Sequence, residues 1–242
     1  MNNSHDFDQI SGDISMPLSE HLEELRARFF QSILFFITAC FIYSSQTKKI
    51  VSFLQKLAPN VKFLQLGPGE YFFSSIKVVV YISLLTSLPF VVCQILLFIL
   101  PGLTNKEKRV IIPLSAFSLL LFFTGLTFAY LVLIPAALNF FISYGSSIVE
   151  PLWSLEQYLD FILILLLSTG IAFQVPTIQI ILVLLGIANN STMLSAWKYV
   201  LVLSTIAAAI LTPSVDPLTQ ILLSCAIFSL YFIGILFSKF LL

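Results

Sequence analysis

The stretch YFFSSIKVVVYISLLTSLPFVVCQILLFIL, residues 71–100, decides the class of fold. Its one charged side chain is Lys77, and the remainder is almost entirely apolar. About 20 consecutive apolar residues suffice for a helix to cross roughly 30 Å of hydrocarbon. The stretch therefore predicts a transmembrane helix, with a bend at Pro89 that neighbouring helices can accommodate.

The composition of the whole chain agrees with this interpretation. Of its 242 residues, 58% are hydrophobic and only 10% are charged, and the mean hydropathy is +1.00. Soluble domains carry about 25% charged residues, which cover the surface that faces water. The chain is therefore predicted to be an all-α integral membrane protein in a lipid bilayer, and its zero net charge argues against a nucleic-acid partner.

Further apolar stretches complete a bundle of six transmembrane helices of unequal length. The fifth has 15 residues and would reach about 22 Å, less than the thickness of the hydrocarbon core. We predict a flexible tail over residues 1–15 and a single membrane domain over residues 16–242. The predicted spans are 29–45, 71–100, 110–142, 155–186, 197–211 and 218–237.

Lysine and arginine in the connections indicate the orientation, because they are more frequent on the inner side of a membrane. If the N-terminus is inside, the outer basic residues all flank one connection, and the outer connections 143–154 and 212–217 have none. We therefore predict that both ends of the chain lie inside.

Residues suited to catalysis or to cofactor binding are scarce. The two histidines, His5 and His21, both precede the first span, so no deeply placed base could activate an intramembrane nucleophile. The sequence offers neither a cluster of metal ligands nor a phosphate-binding glycine loop. We predict that the chain is not an enzyme and has no cofactor or metal.

A few polar side chains fall inside the spans, where they are costly and are functional candidates by default. Lys77 and Asp160 lie near the starts of their spans and could reach the outer interface instead. The neutral amides are more typical of contacts between helices than of a ligand site: Gln94, Gln174, Gln179 and Gln220. A small-solute secondary transporter, which needs polar groups near the midplane, and a membrane scaffold both stay open at this point.

The segment MPLSEHLEELRAR, residues 16–28, is amphipathic at helical spacing. Leucines and Phe29 form one face, and glutamates with Arg28 form the other. We expect a helix on the inner surface that runs into the first span. Glu24 and Arg28 stand four residues apart and could simply pair, or the surplus carboxylates could receive a cationic ligand.

A second inner segment, PGLTNKEKR at residues 101–109, is a short basic connection with Glu107 between the bases. Taken alone, it indicates an ordinary loop on the positive inner side.

Together these two segments resemble the TatC family, the polytopic core of the twin-arginine protein translocase. The family's opening run His-Leu-x-Glu-Leu-Arg-x-Arg matches residues 21–28. Further similar elements follow in order from residue 16 to about 240: Pro89 to Gln94, Phe98, Pro101, residues 106–109, Pro113, residues 128–130, Pro135, residues 170–176, residues 211–213 and Asp216.

The resemblance implies a curved, cup-like receptor that recognises folded cargo through a signal with two adjacent arginines. It implies assembly with single-span partners of the TatA/TatB type, self-association, and transport driven by the proton-motive force. By motif position, the signal-peptide site would contain Glu24, Glu107, Phe98, Arg26 and Arg109. Candidates for partner or helix contacts are Gln174, Tyr130 and Asp216.

The sequence departs from the family's pattern at Gln174, where many members carry Glu. A role that requires ionisation at this position is therefore in doubt, although an amide can still form hydrogen bonds between helices. This residue, the Phe-, Ile- and Leu-rich composition and the lack of a charged tail resemble plastid and cyanobacterial members. We expect a plastid thylakoid membrane or a bacterial inner membrane of the cyanobacterial type.

Overall fold

The computed structural model describes residues 18–59, 61–100, 105–145, 150, 152–213 and 216–241, with the backbone alone for residues 18, 105–107 and 241. Nearly all of this chain is helical. The helices are α1 (Leu18–Ser44), α2 (Thr47–Gln55), α3 (Glu70–Ile99), α4 (Asn105–Phe128), α5 (Ile134–Gly145), α6 (Leu155–Ala172), α7 (Val175–Leu184), α8 (Asn190–Ser195), α9 (Trp197–Leu211) and α10 (Pro217–Leu241). Two short strands are β1 (Lys62–Leu64) and β2 (Leu152–Ser154).

Five helical stretches of the described chain are long and apolar enough to cross a membrane: Ser19–Ser44, Glu70–Ile99, Lys108–Gly145, Leu155–Leu184 and Pro217–Phe240. The sixth apolar helix, α9, has 15 residues, which is the length predicted for the fifth span. The structure thus confirms an all-α membrane protein. The sixth crossing and the orientation of the ends stay predictions, and the predicted tail over residues 1–15 lies outside the described residues.

The amphipathic segment and the first span form one uninterrupted helix, α1, rather than a surface helix followed by a span. No proline or glycine stands between Leu18 and Ser44, so nothing in the sequence breaks the hydrogen-bond ladder. The polar start of α1 is therefore a direct extension of its apolar part, and its position is fixed by the packing of α1 on α3.

Prolines divide two of the long apolar stretches, Lys108–Gly145 and Leu155–Leu184. Pro135 cannot donate to the carbonyl of Leu131, and the helix widens there into a π-helical turn, Ala129–Leu133, in which Ile134 N–H bonds to Ala129 O. Pro176 likewise cannot donate to Ala172, where α6 ends, and α7 begins after a turn at Phe173 and Gln174. The sequence predicted neither the division of the span 155–186 into α6 and α7 nor the π-helical turn.

The bundle is built from a series of packed helix pairs. α1 packs against α3, α3 packs against α6 and α4, and α10 packs against α7 and α9. The α6–α7 stretch is the most buried of the candidate spans, and α1 is the least buried. The bundle therefore has α6 at its centre, with α1 and α9 at its edges.

The two longer connections at the end of the bundle opposite the start of α1 are joined to each other. β1 pairs in parallel with β2, with Phe63 opposite Trp153. The Tyr158 hydroxyl donates to Leu54 O at 2.7 Å, and the Glu70 carboxylate accepts from the Ser154 hydroxyl at 2.6 Å. These contacts close that end of the bundle and hold α3 and α6 in register.

Candidate functional site

A three-residue polar network lies where α1 begins. The Nε and Nη2 atoms of Arg28 both donate to Glu24 Oε1, at 3.3 and 3.0 Å. The Nη1 atom of Arg28 donates to Gln94 Oε1 on α3, at 3.0 Å. The helical spacing of Glu24 and Arg28 thus gives the predicted pair, and Gln94 ties that pair to the second long helix.

The second oxygen of Glu24 is unusual. Oε2 is shielded from solvent and has no hydrogen-bond partner among the described residues, although the side chain as a whole is 20% exposed. An unpaired oxygen of a buried carboxylate is unfavourable, because it has lost water without gaining a donor. The carboxylate is therefore an acceptor with unused capacity, and its environment suits a cationic donor.

Aromatic rings lie beside this network. The imidazole of His21, one turn before Glu24, stacks on the ring of Phe98 with centroids 4.3 Å apart and planes 18° apart. Phe98 lies in the last turn of α3. The stack brings Phe98 to the start of α1, close to the motif that contains Glu24. The sequence alone did not indicate a contact for His21.

The other predicted signal-site residues lie at the same end of the bundle. Arg26 and Arg109 are exposed, and neither belongs to the ion pairs found among the described side chains. Glu107 lies in the first turn of α4, which residues 100–104 connect to the end of α3. The prediction for the Glu107 side chain lies outside the described residues.

An apolar groove of about 380 Å³ continues from the network along α1 and α3. Arg28, Gln94 and Phe98 line the end of the groove that is nearest the network. The remaining wall consists mainly of aliphatic and aromatic side chains, among them Leu25, Phe29, Ile33, Phe36, Leu84, Leu88, Val91 and Ile95. The Glu24–Arg28–Gln94 network and an apolar surface are therefore adjacent.

Gln174 makes contacts between helices. Its Oε1 accepts from the Ser118 hydroxyl at 2.6 Å, and its Nε2 donates to Ser118 O at 3.2 Å. Thr177 adds a third contact at 3.3 Å. The amide thus fixes the break between α6 and α7 against α4, with both its donor and its acceptor in use.

The other two partner or helix-contact candidates also have neighbours within the chain. Tyr130 stacks on Phe53 of α2, with centroids 5.5 Å apart. Asp216 is buried and accepts from the backbone N–H of Thr219 at 3.0 Å, so it caps the start of α10.

Lys77 and Asp160 form an ion pair with each other. From the sequence alone, each could have been either a functional residue inside its span or a residue that reaches the outer interface. The ammonium of Lys77 contacts Asp160 and Glu156 on α6, each at 2.7 Å. Glu156 and Asp160 are four residues apart and face the same way. This spacing indicates that the two acids share one face of α6. The sequence alone could not show that the cation opposite them is Lys77 of α3.

The helical bundle, with its polar network at the start of the first helix, defines a polytopic membrane protein with a carboxylate–guanidinium pair at one end. The TatC family model, described as Sec-independent protein translocase protein, matches residues 20–225. The tatC-like protein ycf43 of Pyropia yezoensis is 58% identical over 92% of this chain and 88% of its own length. The Sec-independent protein translocase protein TatC of Synechocystis is 50% identical over 94% of this chain and 90% of its own length.

A plastid relative and a crystal structure also match this chain, and both are TatC proteins. The chloroplastic Sec-independent protein translocase protein of Pisum sativum is 48% identical over 92% of this chain and 64% of its own length. A crystal structure of the twin-arginine translocase receptor TatC matches with a TM-score of 0.77 and 32% identity, over 91% of this chain and 99% of that one.

The chain belongs to the TatC family, which confirms the resemblance seen in its motifs. It is therefore a component of a Sec-independent protein translocase, in preference to a small-solute transporter or a scaffold. It is a multi-pass protein of a thylakoid or bacterial inner membrane, as expected from the sequence.

Proposed function

We propose that this chain is the receptor core of a twin-arginine translocase. It binds signal peptides that carry two adjacent arginines and, with single-span partners of the TatA/TatB type, exports folded proteins at the expense of the proton-motive force. Its work is recognition and transport rather than covalent catalysis. The observation that carries the proposal is the Glu24 carboxylate, with its unpaired oxygen next to the Phe98–His21 stack.

The chemistry of arginine fits this site. A guanidinium is always charged and presents a planar fork of N–H donors, which suits carboxylates. Two adjacent arginines require at least two acceptors, and we assign these to Glu24 and Glu107. A lysine in the signal keeps the charge but loses the fork, so we expect weaker binding of a lysine-substituted signal.

The aromatic stack would add to this preference. A guanidinium packs favourably on the face of an aromatic ring, and Phe98 lies within the groove wall beside Arg28. Arg26 and Arg109 are cations and cannot receive an arginine. We assign them to acceptors of the precursor, such as backbone carbonyls around the arginine pair.

The candidates for partner or helix contacts have a different role from the signal-site residues. Gln174, Tyr130 and Asp216 have contacts inside the chain, so we propose that they act by shaping the bundle. The exposed apolar faces of α1 and α9, at the two edges of the bundle, are the surfaces that we assign to single-span partners and to a second copy.

Binding of a fluorescent twin-arginine signal peptide to the purified protein in nanodiscs tests the site. Each charge-assisted hydrogen bond contributes roughly 1.5–3 kcal/mol, so Glu24→Ala should weaken binding about 10- to 100-fold. Glu23→Ala is the matched control, since Glu23 is an exposed acid on the same helix without an ion pair among the described side chains. Glu107→Ala should cost a similar factor.

Two results would contradict the assignment. One is equal loss in the Glu24 and Glu23 variants, which would indicate a general effect of negative charge. The other is wild-type binding in both Glu24→Ala and Glu107→Ala.

A further inference from the structure

We infer that Arg28, held by Gln94, is an internal counter-ion that a signal arginine must displace from Glu24, and that this competition sets the affinity of the receptor site. The inference rests on the proposed function, because it assumes that Glu24 receives the signal. It concerns two residues, Arg28 and Gln94, that the proposed binding site does not include.

The geometry of the pair is that of an occupied site. Two donors of Arg28 converge on a single oxygen, Glu24 Oε1, and a third donor is fixed on Gln94. The guanidinium is therefore held from two helices. It already makes, within the chain, the kind of contact that an incoming arginine would make.

A signal arginine cannot bind directly to the unpaired oxygen of Glu24, Oε2. Glu24 Oε2 has no partner, but it is also shielded from solvent. A ligand can reach it only if the carboxylate turns, and such a turn moves Oε1 away from the donors of Arg28. Binding of an external guanidinium and retention of the internal pair are thus coupled through the rotation of one carboxylate.

The charge of Arg28 also opposes the binding of a signal arginine. Two guanidinium groups on one carboxylate would lie only a few Å apart, well inside the screening length of about 8 Å at physiological salt. An incoming arginine therefore meets a site whose negative charge is already neutralised. Removal of the Arg28 charge should strengthen the binding of a cationic signal, whereas loss of a purely structural residue should weaken or not affect it.

The test compares dissociation constants for the twin-arginine peptide in the intact protein. Arg28→Gln keeps a polar side chain without the charge, and we expect binding about threefold tighter, as for release of a partly exposed ion pair. Arg28→Lys keeps the cation beside Glu24 and should stay closer to wild type than Arg28→Gln. Gln94→Leu removes the second anchor of Arg28 and should tighten binding by a smaller factor.

A double variant separates this inference from the proposed function. In the Glu24→Ala background, Arg28→Gln should no longer tighten binding, because there is no carboxylate left to free. Loss of binding in Glu24→Ala together with unchanged or weaker binding in Arg28→Gln would overturn the inference and leave the site assignment intact. Wild-type binding in Glu24→Ala would instead contradict the part of the proposed function that assigns a signal arginine to Glu24.

The Gln94→Leu variant keeps the inference testable if Arg28→Gln does not fold. It leaves all charges in place, so its affinity reports on the anchoring of Arg28 alone. Unchanged or weaker binding in a folded Gln94→Leu protein would overturn the inference.

Discussion

Gly125, in the last turn of α4, should not tolerate even one additional carbon atom. A Cβ atom built on Gly125 would lie 2.7 Å from Cγ and 2.8 Å from Cβ of Phe173. Phe173 is buried in the turn between α6 and α7. Because its Cβ is bonded to the backbone of that turn, rotation of the side chain cannot relieve the clash, and the turn itself must move.

The magnitude follows from this geometry. Overpacking of a filled interior costs typically about 1–3 kcal/mol, and replacement of a helical glycine by alanine returns up to about 1 kcal/mol of helix propensity. We expect Gly125→Ala to lower the free energy of unfolding by about 1–2 kcal/mol. Gly145→Ala, in α5, is the control, because among the described residues no atom outside its chain neighbours and its own helix backbone lies within 4 Å of its added carbon.

Reversible unfolding of the purified protein in mixed micelles, at rising mole fractions of denaturing detergent, measures this difference. The reasoning predicts that Gly125→Ala unfolds at a lower fraction of denaturing detergent than both wild type and Gly145→Ala. If the two alanine variants are equally stable, the close contact between α4 and the α6–α7 turn is not what holds the break in place.

Two further variants probe contacts in the same assay. Gln174→Leu leaves the buried Ser118 hydroxyl without its acceptor at 2.6 Å, so we expect a loss of about 1–3 kcal/mol, and wild-type stability would contradict the proposed role of the amide. Lys77→Met leaves Glu156 and Asp160 without their shared cation. All three side chains are more than a third exposed, so we expect about 1 kcal/mol or less, and Lys77→Arg should restore most of it.

Much of the fold could be predicted because the bilayer imposes one strong rule. A lipid-exposed segment must satisfy its own backbone hydrogen bonds, so uncharged apolar stretches indicate helices wherever they occur. The length of α9 follows from the sequence in this way, whereas the break near Pro176 inside the predicted span 155–186 was not predicted. The π-helical turn before Pro135 does not, because a proline can be accommodated by a bend, a break or a widened turn with similar local sequences.

The connections were less predictable than the helices. β1 and β2 have three residues each and pair across a large separation in sequence, so no local pattern indicates either strand. The contact between Lys77 and the acids of α6 depends in the same way on which helices are neighbours. Such contacts become visible only once the order of the helices in the bundle is known.

In the candidate site, too, local sequence patterns predict some contacts, and helix packing determines the others. Helical spacing predicts the Glu24–Arg28 pair, and the family motif indicates Phe98. The attachment of Arg28 to Gln94 and the stacking of His21 depend on how α1 packs on α3, which the composition of the two helices does not determine.

The most direct test of the central claim is site-specific photocrosslinking of a twin-arginine precursor in native membranes. A photoreactive residue at Leu25, 46% exposed and next to Glu24, is compared with one at Phe53, 51% exposed and near the opposite end of the bundle. We predict crosslinks at Leu25 that disappear when both signal arginines are replaced by lysine, and none at Phe53. Equal crosslinking at the two positions, or crosslinks at Leu25 that do not depend on the arginines, would contradict recognition of the signal at the start of α1.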